Sequence, residues 1–141
     1  MRAKLPHTEG EIDRSGVKLH YEIYGEGAHT IVFVPTWALI HSRCWKAQVP
    51  YFSETHRVIT YDPRGNGKSD RPDNDDEYSL DAIIDDVIAI MDATDTPKAI
   101  LVGFSFSSTV SLAVAANHPE RVEAVISTAG WTPLVGDPPD R

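Results

Sequence analysis

Four short apolar runs constrain this chain more than any other feature. Thr30-Ile-Val-Phe-Val34, Arg57-Val-Ile-Thr-Tyr61, Ala99-Ile-Leu-Val102 and Ala124-Val-Ile126 are rich in β-branched residues and lack the alternation of a half-buried strand. Runs of this kind form strands covered on both faces, as in parallel sheets packed between helices. The segments between them are long enough for crossover helices. The clearest runs from Leu80 to Ala93, where Leu80, Ile83, Ile84, Val87, Ile88 and Met91 make one apolar stripe. Ser79 is placed as its N-cap, Tyr78 and Ile83 as a hydrophobic staple, and Asp81 favours the positive end of the helix. Pro97 closes the segment. A second helix is expected from about Phe106 to Asn117, ending at His118-Pro119.

The N-terminal part reads differently. Between Gly10 and Gly27, Val17, Leu19, Tyr21 and Ile23 alternate with Lys18, His20 and Glu22, the period of a half-buried antiparallel strand. Ser15-Gly16 and Gly25-Glu26-Gly27 supply the turns on either side. An antiparallel hairpin followed by alternating strands and helices predicts an α/β fold of three layers with a mostly parallel sheet. The 141 residues suffice for one domain, residues 1–141, and are too few for two filled cores. The tail from Gly136 to Arg141 reads as a loop.

Charge and cysteine content narrow the function. The formal net charge is −8, the wrong sign for a nucleic-acid binder, which needs a basic stripe to displace counterions from phosphate. Much of the acidity falls between Asp73 and Asp86 and reads as a solvated loop and helix face. One cysteine, Cys44, permits no intrachain disulfide and reads as a buried or half-buried structural thiol. No apolar run is long enough to span a bilayer, and Met1 to Arg14 lacks the apolar segment of a signal peptide. The expectation is a cytoplasmic protein with no membrane partner. The six histidines are scattered singly, without ligand spacing, so no metal site is expected.

Gly103-Phe104-Ser105-Phe106-Ser107 carries the strongest chemical signal. It stands where an apolar strand gives way to a helix of small residues. A sharp strand-to-helix turn forces the central serine into a strained conformation with its hydroxyl exposed at a helix N-terminus. Residues two before and two after must be small because their backbones crowd the turn. Gly103 meets this fully, and Ser107 stays small where a second glycine is usual. The Phe106 N–H can then face a developing oxyanion.

Three segments in order give the chain its resemblance to the α/β-hydrolase superfamily, of the serine-nucleophile type. They are the loop Pro35-Thr-Trp-Ala-Leu-Ile-His-Ser-Arg-Cys-Trp45 with Gln48, the stretch Tyr61-Asp-Pro-Arg-Gly-Asn-Gly-Lys-Ser69, and the serine turn with Asn117-His-Pro-Glu-Arg-Val122 after its helix. The resemblance covers the N-terminal section of that fold, so the sheet is expected to stop after about its sixth strand. It implies esterase-like hydrolysis of ester or related carbonyl substrates through an acyl-serine intermediate, with no cofactor. Ser105 would be the nucleophile, and backbone N–H groups of Phe106 and of Thr36 or Trp37 would form the oxyanion hole. Asp62, Arg64, Gly65 and Gly67 read as structural, the glycines allowing a tight loop and the opposed charges bracing it. Gly67-Lys68-Ser69 imitates the end of a phosphate-binding loop, but that motif needs a glycine where Asp62 stands.

The resemblance also implies a triad in the order Ser, Asp or Glu, His. After Ser105 the sole histidine is His118, at the far end of the following helix. At 1.5 Å per residue that is roughly 20 Å from the serine, beyond hydrogen-bond reach. Upstream, His41 lies in the loop expected over the site mouth. Its favoured reading is a loop histidine near Trp45 bonding the backbone, with improvised general base as the rival. The triad is therefore expected to be incomplete on this chain, and its rivals are a non-catalytic binding module and half of a two-chain enzyme. The last strand, near Glu123 to Ser127, is expected to be an exposed apolar edge suited to pairing with a copy of itself or another chain.

Overall fold

The computed structural model describes residues 4–36 and 40–130. Trp37 and the expected tail loop from Gly136 to Arg141 lie outside the described residues. Six strands form one sheet: β1 (Thr8–Arg14), β2 (Val17–Tyr24), β3 (Thr30–Phe33), β4 (Arg57–Tyr61), β5 (Ala99–Phe104) and β6 (Val122–Thr128). Their spatial order is β1-β2-β4-β3-β5-β6. β1 pairs antiparallel with β2, β2 antiparallel with β4, and the remaining pairs are parallel. Among the described residues three α-helices accompany them: α1 (Gln48–Phe52), α2 (Leu80–Ala93) and α3 (Phe106–Asn117).

The uninterrupted apolar runs follow from helices on both faces of the sheet. Along β3, Val32 packs with α2 and α3, while Ile31 and Phe33 face the opposite side. β4 and β5 divide in the same way, Ile59 and Leu101 facing α2 and α3, Val58, Ile100 and Val102 the other side. Val87, Ile90 and Met91 of α2 and Val110 and Val114 of α3 close the first layer. Trp45, Val49 and Phe52 close the second, with the Phe33 and Trp45 rings 4.7 Å apart. Burial of side chains such as these, worth about 1.5–3 kcal/mol each, is what holds the layers together.

α2 starts where its cap predicts, the Ser79 hydroxyl accepting the Ala82 N–H at 3.3 Å. Three expectations are corrected. The polar side of β2 is not solvated, because His20 and Glu22 are both buried under the loops that carry Arg43 and Lys68. Asp86 is not part of a solvated acidic face: it is 2% exposed and receives two bonds from Arg64, at 2.7 and 2.6 Å. Cys44 is exposed rather than buried. Partial desolvation and the nearby Asp62 carboxylate still push its thiol up to about 11, so it stays protonated at neutral pH.

β6 is the sheet edge. Among the described residues it pairs with β5 alone, and it is exposed along most of its length, Ile126 by 48%.

Candidate active site

The turn from β5 into α3 is built by close backbone approach. A Cβ at Gly103 would collide with the Ser107 carbonyl oxygen and the Ser108 Cα, so the position admits glycine alone without movement of backbone. Ser107 does more than stay small. Its hydroxyl accepts the Phe104 N–H at 2.9 Å and lies 3.0 Å from the Phe104 carbonyl oxygen, bracketing the peptide just before Ser105. Nothing in the spacing of the motif announces this second duty.

Ser105 sits at φ 56°, ψ −126°, a region that side-chain-bearing residues avoid. Holding it there costs about 1–3 kcal/mol, which the surrounding turn must offset. The residue is exposed, and its hydroxyl makes no capping bond to the helix it precedes. Its amide donates to the Thr128 carbonyl at 2.9 Å. Thr128 is fixed in turn by the Ser108 hydroxyl, which donates to its carbonyl at 2.9 Å and accepts its N–H at 3.1 Å. The end of β6 thus buttresses the serine turn.

Phe106 is the first residue of α3, at the positive end of the helix. A cleft of about 340 Å³ opens beside the turn, with Thr36, Trp45, Phe104 and Thr128 in its wall. The structure therefore brings Thr36 and Phe104, the residue before Ser105, to one opening. Trp37 falls outside the described residues.

His41 is exposed and caps a short 3-10 turn, Ser42–Trp45, its Nδ1 accepting the Arg43 N–H at 3.2 Å. His118 ends α3 and faces Glu120 at 3.9 Å.

The loop after β4 holds the short turn Ser42–Trp45, which contributes Cys44 and Trp45 to the cleft wall. The Asp62 carboxylate accepts the Ser42 and Lys68 N–H groups, each at 2.9 Å. Burial raises its pKa, but these amides outweigh burial and the group ends below the ordinary carboxylate range. Gly67, at φ 56°, leaves the space that this carboxylate fills. Arg64 does not pair with Asp62. Its guanidinium reaches Asp86 on α2 and the Glu77 carboxylate, the latter at 2.6 Å. For Asp86, burial outweighs the ion pair and holds its carboxyl above the ordinary range.

An exposed, strained serine thus stands at a strand-to-helix turn, beside a helix N-terminus and a cleft of mixed polar and apolar lining. Residues 29–140 match the profile of the alpha/beta hydrolase fold family, and the chain belongs to that family. It is 32% identical over 127 residues to RutD of Caulobacter segnis, a protein named for carbamate hydrolysis, covering 89% of this chain and 46% of that one. Epoxide hydrolase 4 of Mus musculus is 30% identical over 125 residues, 85% of this chain and 33% of its own length. Among solved structures, Est816, described as an N-acyl homoserine lactone degrading enzyme, superposes with a TM-score of 0.81 at 34% identity, covering 92% of this chain and 49% of that one. The chain thus spans about half the length, or less, of the relatives it matches.

Proposed function

We propose that this chain carries the nucleophile and the oxyanion donors of a serine hydrolase acting on small carbonyl substrates. The observation that carries the reading is Ser105 itself, an exposed residue held at φ 56°, ψ −126° where β5 turns into α3. Strain of this sort persists where function selects for it. In this reading the Ser105 Oγ attacks the carbonyl carbon and the amides of Phe106 and of Thr36 or Trp37 stabilise the oxyanion. The cleft beside Phe104 receives the apolar part of the substrate. The general base and its acid come from outside the described residues, since His118 lies at the far end of α3 and the Nδ1 of His41 is engaged by a backbone amide. No cofactor takes part.

Substrate class follows from the same geometry. An ester, carbamate or lactone develops the oxyanion that these amides serve, whereas an epoxide has no carbonyl oxygen to place there. A serine at position 105 therefore favours the carbonyl class over the epoxide class. A reducing cytoplasm suits the exposed, unpaired Cys44.

The exposed edge of β6 favours a second element of the proposal. The border that β6 presents among the described residues, Val122–Thr128, pairs with a further strand.

A fluorophosphonate probe tests the reading. The chain should be labelled at Ser105 and Ser105→Ala should not, with slow turnover of an activated ester in the first sample. Mutated serine enzymes that keep the oxyanion hole and binding retain roughly 10³-fold catalysis over water, which sets the scale expected without a base. Labelling equal in Ser105→Ala would overturn the nucleophile, and fast labelling with competent turnover by the chain alone would overturn the external base.

A further inference from the structure

Far from the serine turn, β1 and β2 set two carboxylates against each other. Glu9 and Glu22 are direct partners in the strand register, and His20 lies two residues before Glu22 on the same face of β2. Like charges opposite one another on a sheet repel, so this corner attracts cations. Two are present: Lys68 Nζ lies 2.8 Å from Glu9 Oε2, and Arg43 lies 3.0 Å from Glu22 Oε1. The Tyr24 hydroxyl donates to the other Glu22 oxygen at 2.5 Å. These contacts account for the carboxylates.

They do not account for His20. Its residue is 5% exposed, and its buried Nε2 makes no hydrogen bond. A buried ring nitrogen left so is costly unless something fills the gap. Nε2 points between the two acids, 3.5 Å from Glu9 Oε2 and 3.9 Å from Glu22 Oε1. One ligand atom from each of the three residues lies within 4.8 Å of the others.

We propose that Glu9, His20 and Glu22 form a binding site for a divalent first-row transition ion of the zinc type. An imidazole nitrogen with two carboxylate oxygens suits zinc better than calcium or magnesium, which take oxygen ligands throughout. Zinc holds such atoms at about 2.0–2.2 Å, so the trio must contract slightly. Glu9, with 53% of its side chain exposed, is free to supply that movement. Lys68 and Arg43, 55% and 50% exposed at their side chains, swing into solvent as the ion replaces them.

The ion would pin the edge strand β1 to β2 and take no part in chemistry at Ser105. β4 and β3 stand between β2 and β5, so three strand spacings, about 14 Å across the sheet, separate the two strands. Spacing along the chain hides the site, because the ligands meet across a strand pair.

Calorimetric titration of the purified chain with zinc chloride, read beside its Tm, tests the proposal. One ion per chain should bind and raise Tm. Glu9→Gln, at an exposed position where folding is safe, and His20→Gln should each weaken binding by about tenfold or more. Lys68→Met should tighten it by removing a competing cation. Cys44→Ser should leave it unchanged. Absence of zinc binding by the folded chain, binding indifferent to Glu9→Gln, or binding lost in Cys44→Ser would overturn the assignment.

Discussion

Ser105 holds a conformation that glycine would adopt without strain, and that difference is measurable. At φ 56° a side chain costs roughly 1 kcal/mol or more relative to glycine. Ser105→Gly should therefore be more stable than Ser105→Ala by about 1 kcal/mol in urea denaturation, although both lack the hydroxyl. Equal stability would remove the claim of strain. Gly103→Ala should act in the opposite sense, losing about 1–3 kcal/mol because the new methyl meets backbone of α3 and cannot turn aside. Asp62 adds a pH dependence. Its pKa is lower folded than unfolded, so its contribution is present above the unfolded value and vanishes as pH falls through the folded one. Asp62→Asn should lower Tm at pH 7, and the gap from the parent should narrow on acidification towards pH 3. At this scale the sequence showed that positions 103 and 107 had to be small, since that demand belongs to the backbone of any such turn. It did not show the Ser107 hydroxyl bracketing Phe104, because that bond depends on a rotamer.

Between elements, the Arg64 guanidinium joins the loop after β4 to α2. Arg64 is 1% exposed and Asp86 2%, so removing one partner leaves an uncompensated buried charge. Arg64→Met should cost about 3–5 kcal/mol by chemical denaturation, and a loss under 1 kcal/mol would show that Asp86 is relieved by protonation or by Arg14, 3.3 Å away. Both longer helices were legible, α2 over Leu80–Ala93 from a capping serine and an apolar stripe, and α3 from about Phe106 to Asn117 from its small residues and the closing His-Pro. α1 was not legible. It has five residues, contains Pro50 and is held by Val49 and Phe52 against the sheet rather than by periodicity. The burial of His20 and Glu22 was also invisible, since alternation marks a polar face without saying what covers it.

For the whole molecule, the sheet has two unlike borders. β1 is charged and polar, with Glu9 tied to Lys68, whereas β6 shows Ile126 to solvent. Light scattering should find concentration-dependent association, and Ile126→Lys should shift the chain towards monomer. A parent chain monomeric at all concentrations would count against pairing through β6. A mostly parallel sheet between helices was legible from the apolar runs, whereas the spatial order of its strands was not, because apolar runs mark strands without saying which ones pair. No base was legible beside the serine, since His118 is separated from Ser105 by the length of α3.

One bond described above links this border to the chemistry. The Ser105 amide rests on the Thr128 carbonyl, which the Ser108 hydroxyl also grips. The serine turn and the border that β6 forms among the described residues therefore share a hinge pin. Fraying of β6 would let the serine relax into an ordinary backbone well, and docking of a neighbouring strand would stop that relaxation.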